Sequence, residues 1–413
     1  MPNYRMTRLA AYTGTISQAV VITIAPLLFV IFQGEFGLSD EQTGRLILIN
    51  FGTQIFADLI ATRYADRVGY RPSILAAQVL CTLGLVSMSF SPYWFASPYT
   101  GLCFSVVLYA FGGGFIEVLL SPVVEAMPGD EKASIMALFH SFFCWGQAFS
   151  VLVTTLIIRW LGSGIWRSLP VCWSIVPAMG IVFFSICPIA PITPEGRGMS
   201  VSELVRQPVF IIAMVMMICS GSSELTMSQW ASLFAEKGLH VSKFMGDLLG
   251  PFLFAITMGA GRALFGKIGS RVNLRKSLML LSTMSIGCYL LTVLGNGIFS
   301  LVGCALCGFS VSLMWPGTLS LSSRLYPLGG TAMFGLLAIC GDIGGSLGPW
   351  FAGFVSDLLK GSGSLIEGIV ASTGLDAEQA GLKAGLLLGM VFPVLMLICS
   401  ARMPVTAENR KNG

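Results

Sequence analysis

Long apolar runs recur along almost the whole chain, separated by short polar breaks. A membrane-spanning helix needs roughly 20 mostly apolar residues. By that measure the sequence predicts twelve spans: about 8–33, 42–64, 73–92, 99–126, 132–160, 166–190, 208–236, 245–268, 276–295, 297–324, 331–358 and 382–402. The connections at 92–98 and 295–297 are short and nearly uncharged, as tight turns are. The segment 191–207, with Pro191, Pro194, Glu195, Arg197 and Arg206, is the one candidate linker. It separates a first bundle over 1–190 from a second over 208–413. The stretch 359–381, with Gly361, Ser362, Gly363 and Ser364, reads as an exposed loop between the last two helices.

A short basic stretch occurs twice. Asp66-Arg67-Val68-Gly69-Tyr70-Arg71 joins the second and third apolar runs, and Ser270-Arg271-Val272-Asn273-Leu274-Arg275 does the same for the corresponding runs of the second half, 204 residues later. Arg67 aligns with Arg271 and Arg71 with Arg275. A duplicated set of apolar helices with matching basic loops is the sequence form of a transporter built from two related halves. The expected fold class is therefore an all-α membrane protein, twelve transmembrane helices in two pseudo-symmetric six-helix halves around a central cavity.

Composition agrees. Charged residues are 11% of the chain and hydrophobic ones 54%, where a soluble domain carries roughly 25% charged. The 48 glycines suit helices that pack backbone to backbone, because lipid supplies no hydrophobic drive between helices. A net charge of +4 is too small to suggest nucleic acid as a partner. The eleven cysteines all fall in apolar runs and read as small hydrophobes rather than a disulfide framework. Cys304 and Cys307 have CxxC spacing, but no His or charge nearby would lower a thiol pKa, so packing is the reading there too. No cleavable signal peptide is evident, since the first apolar run is long and leads straight into the bundle.

The placement of Lys and Arg sets an orientation. With the N-terminus inside, the inner side holds 16 of them and the outer side 7, with Arg262 left inside a span. Both termini are then expected in the cytoplasm of a multi-pass protein, with a bacterial inner membrane as its location.

On these residues the chain resembles the major facilitator superfamily, whose loop between the second and third helices reads G-x-x-x-D-R-x-G-R-R. Thr62 stands at the first Gly; Asp66, Arg67, Gly69 and Arg71 match, and Tyr70 replaces a basic residue. The second copy keeps Gly266, Arg271 and Arg275 but has Ser270 and Asn273 in place of Asp and Gly. Within the superfamily the chain is most similar to the fucose:proton symporter type of sugar permease. Gly112-Gly113-Gly114-Phe115-Ile116-Glu117 with Ser121-Pro122, then Gly221, Glu224 and Trp230, then Met314-Trp315-Pro316 carry that similarity. One departure stands out: such symporters have an acid in the first helix, and Arg8 to Phe32 has none. The resemblance implies a transporter that works by alternating access and is coupled to protons; a monomer is expected. It also implies that Asp66, Arg67 and Arg71, with Arg271 and Arg275 as their second-half counterparts, help hold the inner side shut.

A charge at mid-bilayer costs about 2.5–3.5 kcal/mol on insertion scales, so each intramembrane ionisable group points to a role or a partner. Glu117 could exchange protons near neutral pH because burial raises a carboxyl pKa; the alternative is a permanently protonated acid bonded to a neighbouring helix. Glu224 sits among Ser220, Gly221, Ser222 and Ser223, where a loosened helix could offer polar groups to a solute, or it makes an interhelical hydrogen bond. Trp230 could stack on a sugar ring or simply pack. Asn50, Gln54 and Asp58 recur every four residues and share one helix face; Asn50 and Gln54 are candidate solute contacts, and Asp58 is a candidate for proton coupling or a gate. Arg262 and Asp342 lie in the same half and read as a structural ion pair or a state-dependent latch. His140, with an unperturbed pKa near 6.5, is a core histidine or a ligand, and Gln18 and Gln147 are further solute candidates.

The function these features favour is secondary transport of a small polar solute, a sugar by resemblance, coupled to protons. A proton-coupled exporter of lipophilic drugs or metabolites is the first alternative, and a membrane receptor or enzyme the second. With two histidines and nothing fitting G-x-x-x-x-G-K-[ST], neither a metal site, a cofactor, catalysis nor an ATP-driven pump is expected.

Overall fold

Nothing in the hydrocarbon of a bilayer can bond a free peptide group, so a spanning segment satisfies its backbone as a helix. The computed structural model describes residues 4–128, 132–190, 199–268, 273–326 and 328–404. It holds twelve helices long and apolar enough to cross a membrane, and no strand among the described residues. They are α1 (Arg5–Leu27), α2 (Asp40–Ala61), α3 (Tyr70–Met88), α4 (Pro98–Val124), α5 (Leu138–Leu161), α6 (Ser163–Ile186), α7 (Pro208–Gly238), α8 (Lys243–Phe265), α9 (Leu274–Leu294), α10 (Ile298–Leu325), α11 (Ala332–Lys360) and α12 (Ala377–Arg402). Their number and order are those expected. The stretch 359–381 is not the plain loop expected: Ser364–Thr373 forms a short helix, set off by Gly363 and Gly374 at φ of 54° and 72°. All eleven cysteines are free, and Cys304 and Cys307 are buried.

The burial pattern suits lipid as the surrounding medium. Phe56, Leu59, Leu280 and Leu294 are exposed, while Gln54, Gln78, Asp58 and Asp342 are buried. Small residues set the helix spacing. A Cβ on Gly221 of α7 would stand 2.0 Å from the carbonyl oxygen of Gly341 on α11, and one on Gly344 of α11 would stand equally close to that of Ile218. No other residue type fits that crossing without forcing the helices apart, as expected where packing alone joins helices.

The chain falls into two compact units, 1–38 with 49–194 and 39–48 with 195–413. The first residues of α2 thus group with the second unit. There Lys360 Nζ pairs with Asp40, with Asp357 at 3.1 Å and with Glu378 at 3.2 Å.

Each unit carries its own copy of one basic device. In the first, Arg71 at the start of α3 donates to the carbonyl oxygens of Phe184 (3.0 Å), Ser185 (2.5 Å) and Cys187 (2.6 Å), where α6 ends. In the second, Arg275 at the start of α9 donates to Ser400 O (3.2 Å) and to Ala401 O, where α12 ends. A cation there meets the negative end of the helix dipole as well as unpaired carbonyls. The substitution of Gly69 by Asn273 also acquires a reason. Gly69 turns the chain into α3 at φ 96°, a conformation that favours glycine. Asn273 instead caps α9, its side chain accepting from Lys276 N–H at 3.1 Å. Arg271 and the side chains of Asp66 and Arg67 lie outside the described residues.

Arg71→Ala and Arg275→Ala are each expected to lower stability by about 1–2 kcal/mol, the range for a partly exposed cation on helix-end carbonyls. Thermal unfolding of the purified protein measures this, and unchanged melting temperatures in both variants would refute it.

Candidate functional site

Polar groups in the first unit gather where α1, α2 and α4 approach one another. Two glycines of α4 make room for them. A Cβ on Gly114 would stand 2.7 Å from Gln54 O and 2.8 Å from Asp58 Oδ1, and one on Gly113 would meet Val21 of α1 at 3.4 Å and the Gln54 amide at 3.8 Å. One turn further along α4, Glu117 is half-buried and accepts a hydrogen bond from Gln18 Nε2 of α1. A primary amide suits such a carboxyl in either state: its NH2 donates to the carboxylate, and after rotation its oxygen accepts from the acid. Gln54 is fully buried, and neither of its amide atoms has a hydrogen-bond partner. Asn50 Oδ1 and Gln147 Oε1 are also buried without one. Amides of this kind can donate to and accept from hydroxyl groups.

In the second unit, Glu224 and Arg262 form an ion pair between α7 and α8. Arg262 Nη2 lies 3.3 Å from Glu224 Oε2 and 3.5 Å from Oε1. The contact of Arg262 with Glu224 is one that the sequence did not suggest. Asp342 is buried on α11, next to the Gly341 that packs on Gly221. Tyr289 of α9 donates to Ser223 O at 2.8 Å and fixes the backbone beside Glu224. Trp230 is 2% exposed, and its Nε1–H donates to Pro349 O at 2.9 Å. In this conformation its ring fills the α7–α11 seam, where a Cβ on Gly353 would meet it at 2.9 Å.

The remaining candidates are spread out. Asp58 is buried against Gly114. His140 is exposed on α5, its ring 4.9 Å from that of Phe139. Arg71 and Arg275 are occupied at helix ends, as described above. No grouping of His, Cys, Asp and Glu among the described residues could hold a metal ion.

Gln78 and Tyr289 are further buried polar groups that no motif in the sequence marks. Gln78 is fully buried on α3 with both amide atoms unpartnered, in a space left by Gly14 of α1 and Gly180 of α6. A lone amide inside an apolar run was the available signal for Gln78. For Tyr289 there was none, since a tyrosine in a span can equally well be a packing group.

A second acid-centred cluster lies away from these spans' interiors. Glu35 accepts from Trp166 Nε1–H at 2.6 Å and from the Tyr93 hydroxyl. The Tyr93 ring carries the Arg167 guanidinium 4.2 Å from its centroid. Burial first, and the hydrogen bond to Glu35 next, push the Tyr93 hydroxyl up to about 12. With every group engaged, this is a fastening rather than a site.

Comparison with known proteins comes to the same architecture. Residues 11–349 match the family model of the Major Facilitator Superfamily. Among solved structures, the FucP transporter in an outward conformation superposes with a TM-score of 0.67 at 17% identity, covering 98% of this chain and 100% of that one. A bacterial homolog of the human lysosomal transporter Spinster, inward-facing and occupied, gives 0.70 at 16% identity, covering 97% of each chain. A D-xylose-proton symporter gives 0.71 at 14% identity, covering 94% of this chain and 96% of that one. At such identities the likeness is one of fold. A Caenorhabditis elegans protein named as a transporter, svop-1, is 24% identical over 165 residues, 39% of this chain and 30% of that protein's length.

The unpartnered amide of Gln54 yields a test that needs no solute. A buried polar group without a partner carries a desolvation penalty of about 1–3 kcal/mol, so Gln54→Leu, of similar volume, is expected to raise stability by that amount. A lower melting temperature would show that the amide is bonded within the folded protein and sink this reading of the site.

Proposed function

The chain belongs to the Major Facilitator Superfamily, and from that premise we propose that this transporter carries a small polar solute, a sugar, with proton coupling by alternating access. The observation that carries the proposal is the Glu117–Gln18 pair in the first unit, with Gln54 unpartnered beside it. A half-buried carboxyl held by an amide can take and release a proton without losing its partner. The amide of Gln54, with those of Asn50 one turn earlier on α2 and Gln147 on α5, offers what sugar hydroxyls need, donors and acceptors without net charge. The named activities of the fucose:proton and xylose-proton symporters that share the fold support the same choice of solute. Glu117 is the coupling group in this reading, and Gln18 its positioning partner. Trp230 belongs to the α7–α11 seam in this conformation, so stacking on a sugar would require it to leave Pro349.

Proton coupling has the capacity required: 100 mV of membrane potential contributes about 2.3 kcal/mol per charge moved inward, enough for roughly 50-fold accumulation.

Glu117→Gln separates coupling from binding. In proteoliposomes with an imposed pH gradient and labelled fucose or D-xylose, the wild-type protein is expected to accumulate at least one of the two sugars. The variant should lose accumulation yet keep counterflow exchange, which needs binding and alternating access but no titrating group. Unimpaired uphill uptake by Glu117→Gln would remove this residue as the coupling group, and no wild-type exchange of either sugar would remove these sugars as solutes.

A further inference from the structure

The second unit holds a charge that transport of neutral sugar does not call for. Hydroxyls are recognised by amides, hydroxyls and carboxyls, none of which requires a guanidinium inside the membrane. Arg262 lies in the last turn of α8 yet is largely buried, its side chain 14% exposed; that of Glu224 is 9% exposed. Their contact is also looser than a purely structural pair would favour. A single nitrogen, Nη2, faces both carboxylate oxygens at 3.3 and 3.5 Å. A parallel two-point fork would instead place two nitrogens at about 2.7–2.9 Å. The backbone beneath Glu224 is fixed, since Tyr289 holds Ser223 O and Ser222 Oγ donates to Gly344 O at 2.8 Å. What can change at low cost is therefore the partner of the guanidinium.

We infer that Arg262 is the docking group for an anionic function on the solute, and that Glu224 is the counterion the solute displaces. This inference rests on the transport reading above and narrows its solute class to sugar acids or similar polar carboxylates. The reason is charge conservation in a medium of low dielectric. Taken as a pair, the guanidinium and the Glu224 carboxylate sum to zero. A carboxylate arriving alone would leave the pair with a net negative charge, which is costly away from water. If Glu224 takes up one proton as the solute carboxylate reaches Arg262, the sum is zero again. No covalent bond is made or broken; one proton moves from water to Glu224 for each anion bound. Binding thus becomes obligatory co-binding of anion and proton, and the solute and its proton enter the second unit together.

Among the described residues, the other charged groups at this end of the elements packed against α7 and α8 include Asp342, buried on α11, and Arg324, exposed in the last turn of α10. Asp342 is the carboxyl to be distinguished from Glu224. The Tyr289 hydroxyl on α9 is committed to Ser223 O. The Lys243–Asp247 pair, 3.2 Å apart, belongs to the opposite end of α8, and Lys383 of α12 donates to Gly295 O at 3.0 Å.

The test is isothermal titration of the purified full chain with galacturonate, gluconate and, as the neutral control, galactose, across pH 5 to 8 and in two buffers of different ionisation enthalpy. The expected result is that at least one sugar acid binds more tightly than galactose. Its affinity should fall about tenfold per pH unit in the alkaline range, with one proton taken up per anion. Glu224→Gln should bind the same acid without pH dependence, while Asp342→Asn should keep it. Arg262→Gln should weaken the acid about 10- to 150-fold and leave galactose unchanged. Because that variant strands Glu224, Arg262→Lys and the double variant Glu224→Gln/Arg262→Gln are measured beside it. Both should fold and still lose affinity for the acid, the lysine variant less.

Tighter binding of galactose than of either acid, anion binding without proton uptake, or pH dependence that survives Glu224→Gln and vanishes in Asp342→Asn would each overturn the inference. Exchange of neutral sugar in proteoliposomes alongside such a result would leave the transport reading standing. Failure of neutral and acidic sugars alike to bind or exchange would bring down both.

Discussion

Lipid offers a polar group nothing to bond, and the rest of this structure depends on that constraint. It makes every span a helix, turns the apolar side chains outward and sends Gln54, Gln78, Asp58, Glu224 and Asp342 inside. Because the surroundings are as apolar as the helices, cohesion must come from close contact and from polar bonds. Both are concentrated along α7 and α11, where Gly221, Gly341 and Gly344 let the backbones touch and where Ser222 and Trp230 donate to carbonyls across the seam.

The same constraint makes the buried ionisable groups informative. Each unit places a carboxyl where a proton could be exchanged, but in different company. Glu117 has a neutral amide, and Glu224 has a guanidinium. A carboxyl beside an amide can change its protonation state with little effect on its surroundings. A carboxyl beside a guanidinium cannot, unless something else supplies a negative charge. This contrast sets the two halves of one duplicated design apart: the buried carboxyl has a neutral partner in one and a charged partner in the other.

The duplication itself shows how two sequences reach one end. Arg71 and Arg275 both anchor the start of one helix to the end of another, so the arginine is common to both copies. The position two residues earlier requires only a way to begin a helix. Glycine at positive φ and an asparagine cap both provide one, and the two copies differ there.

What the sequence determined by itself was whatever depends on order along the chain. Run length set the number of spans, the repeated loop revealed the duplication, and the scarcity of charge made Glu117, Glu224, Arg262 and Asp342 worth attention. The family resemblance followed from the same loop, and the match over residues 11–349 agrees with it. Tertiary structure alone decided which groups meet. Depth along a helix can be counted in residues, but the direction a side chain faces depends on how each helix is rotated against its neighbours. Thus the guanidinium of Arg262 meets Glu224 on α7, a contact that residue order does not reveal. Trp230, a plausible ring platform from its position, is turned into the α7–α11 seam, and Gln78, unremarked in an apolar run, lies fully buried between two glycines. The short helix at Ser364–Thr373 formed where glycines and serines suggested a loop, because those residues bound it while the apolar positions between them are free to coil. Packing fixes rotation and pairing, and packing is a property of all the helices together.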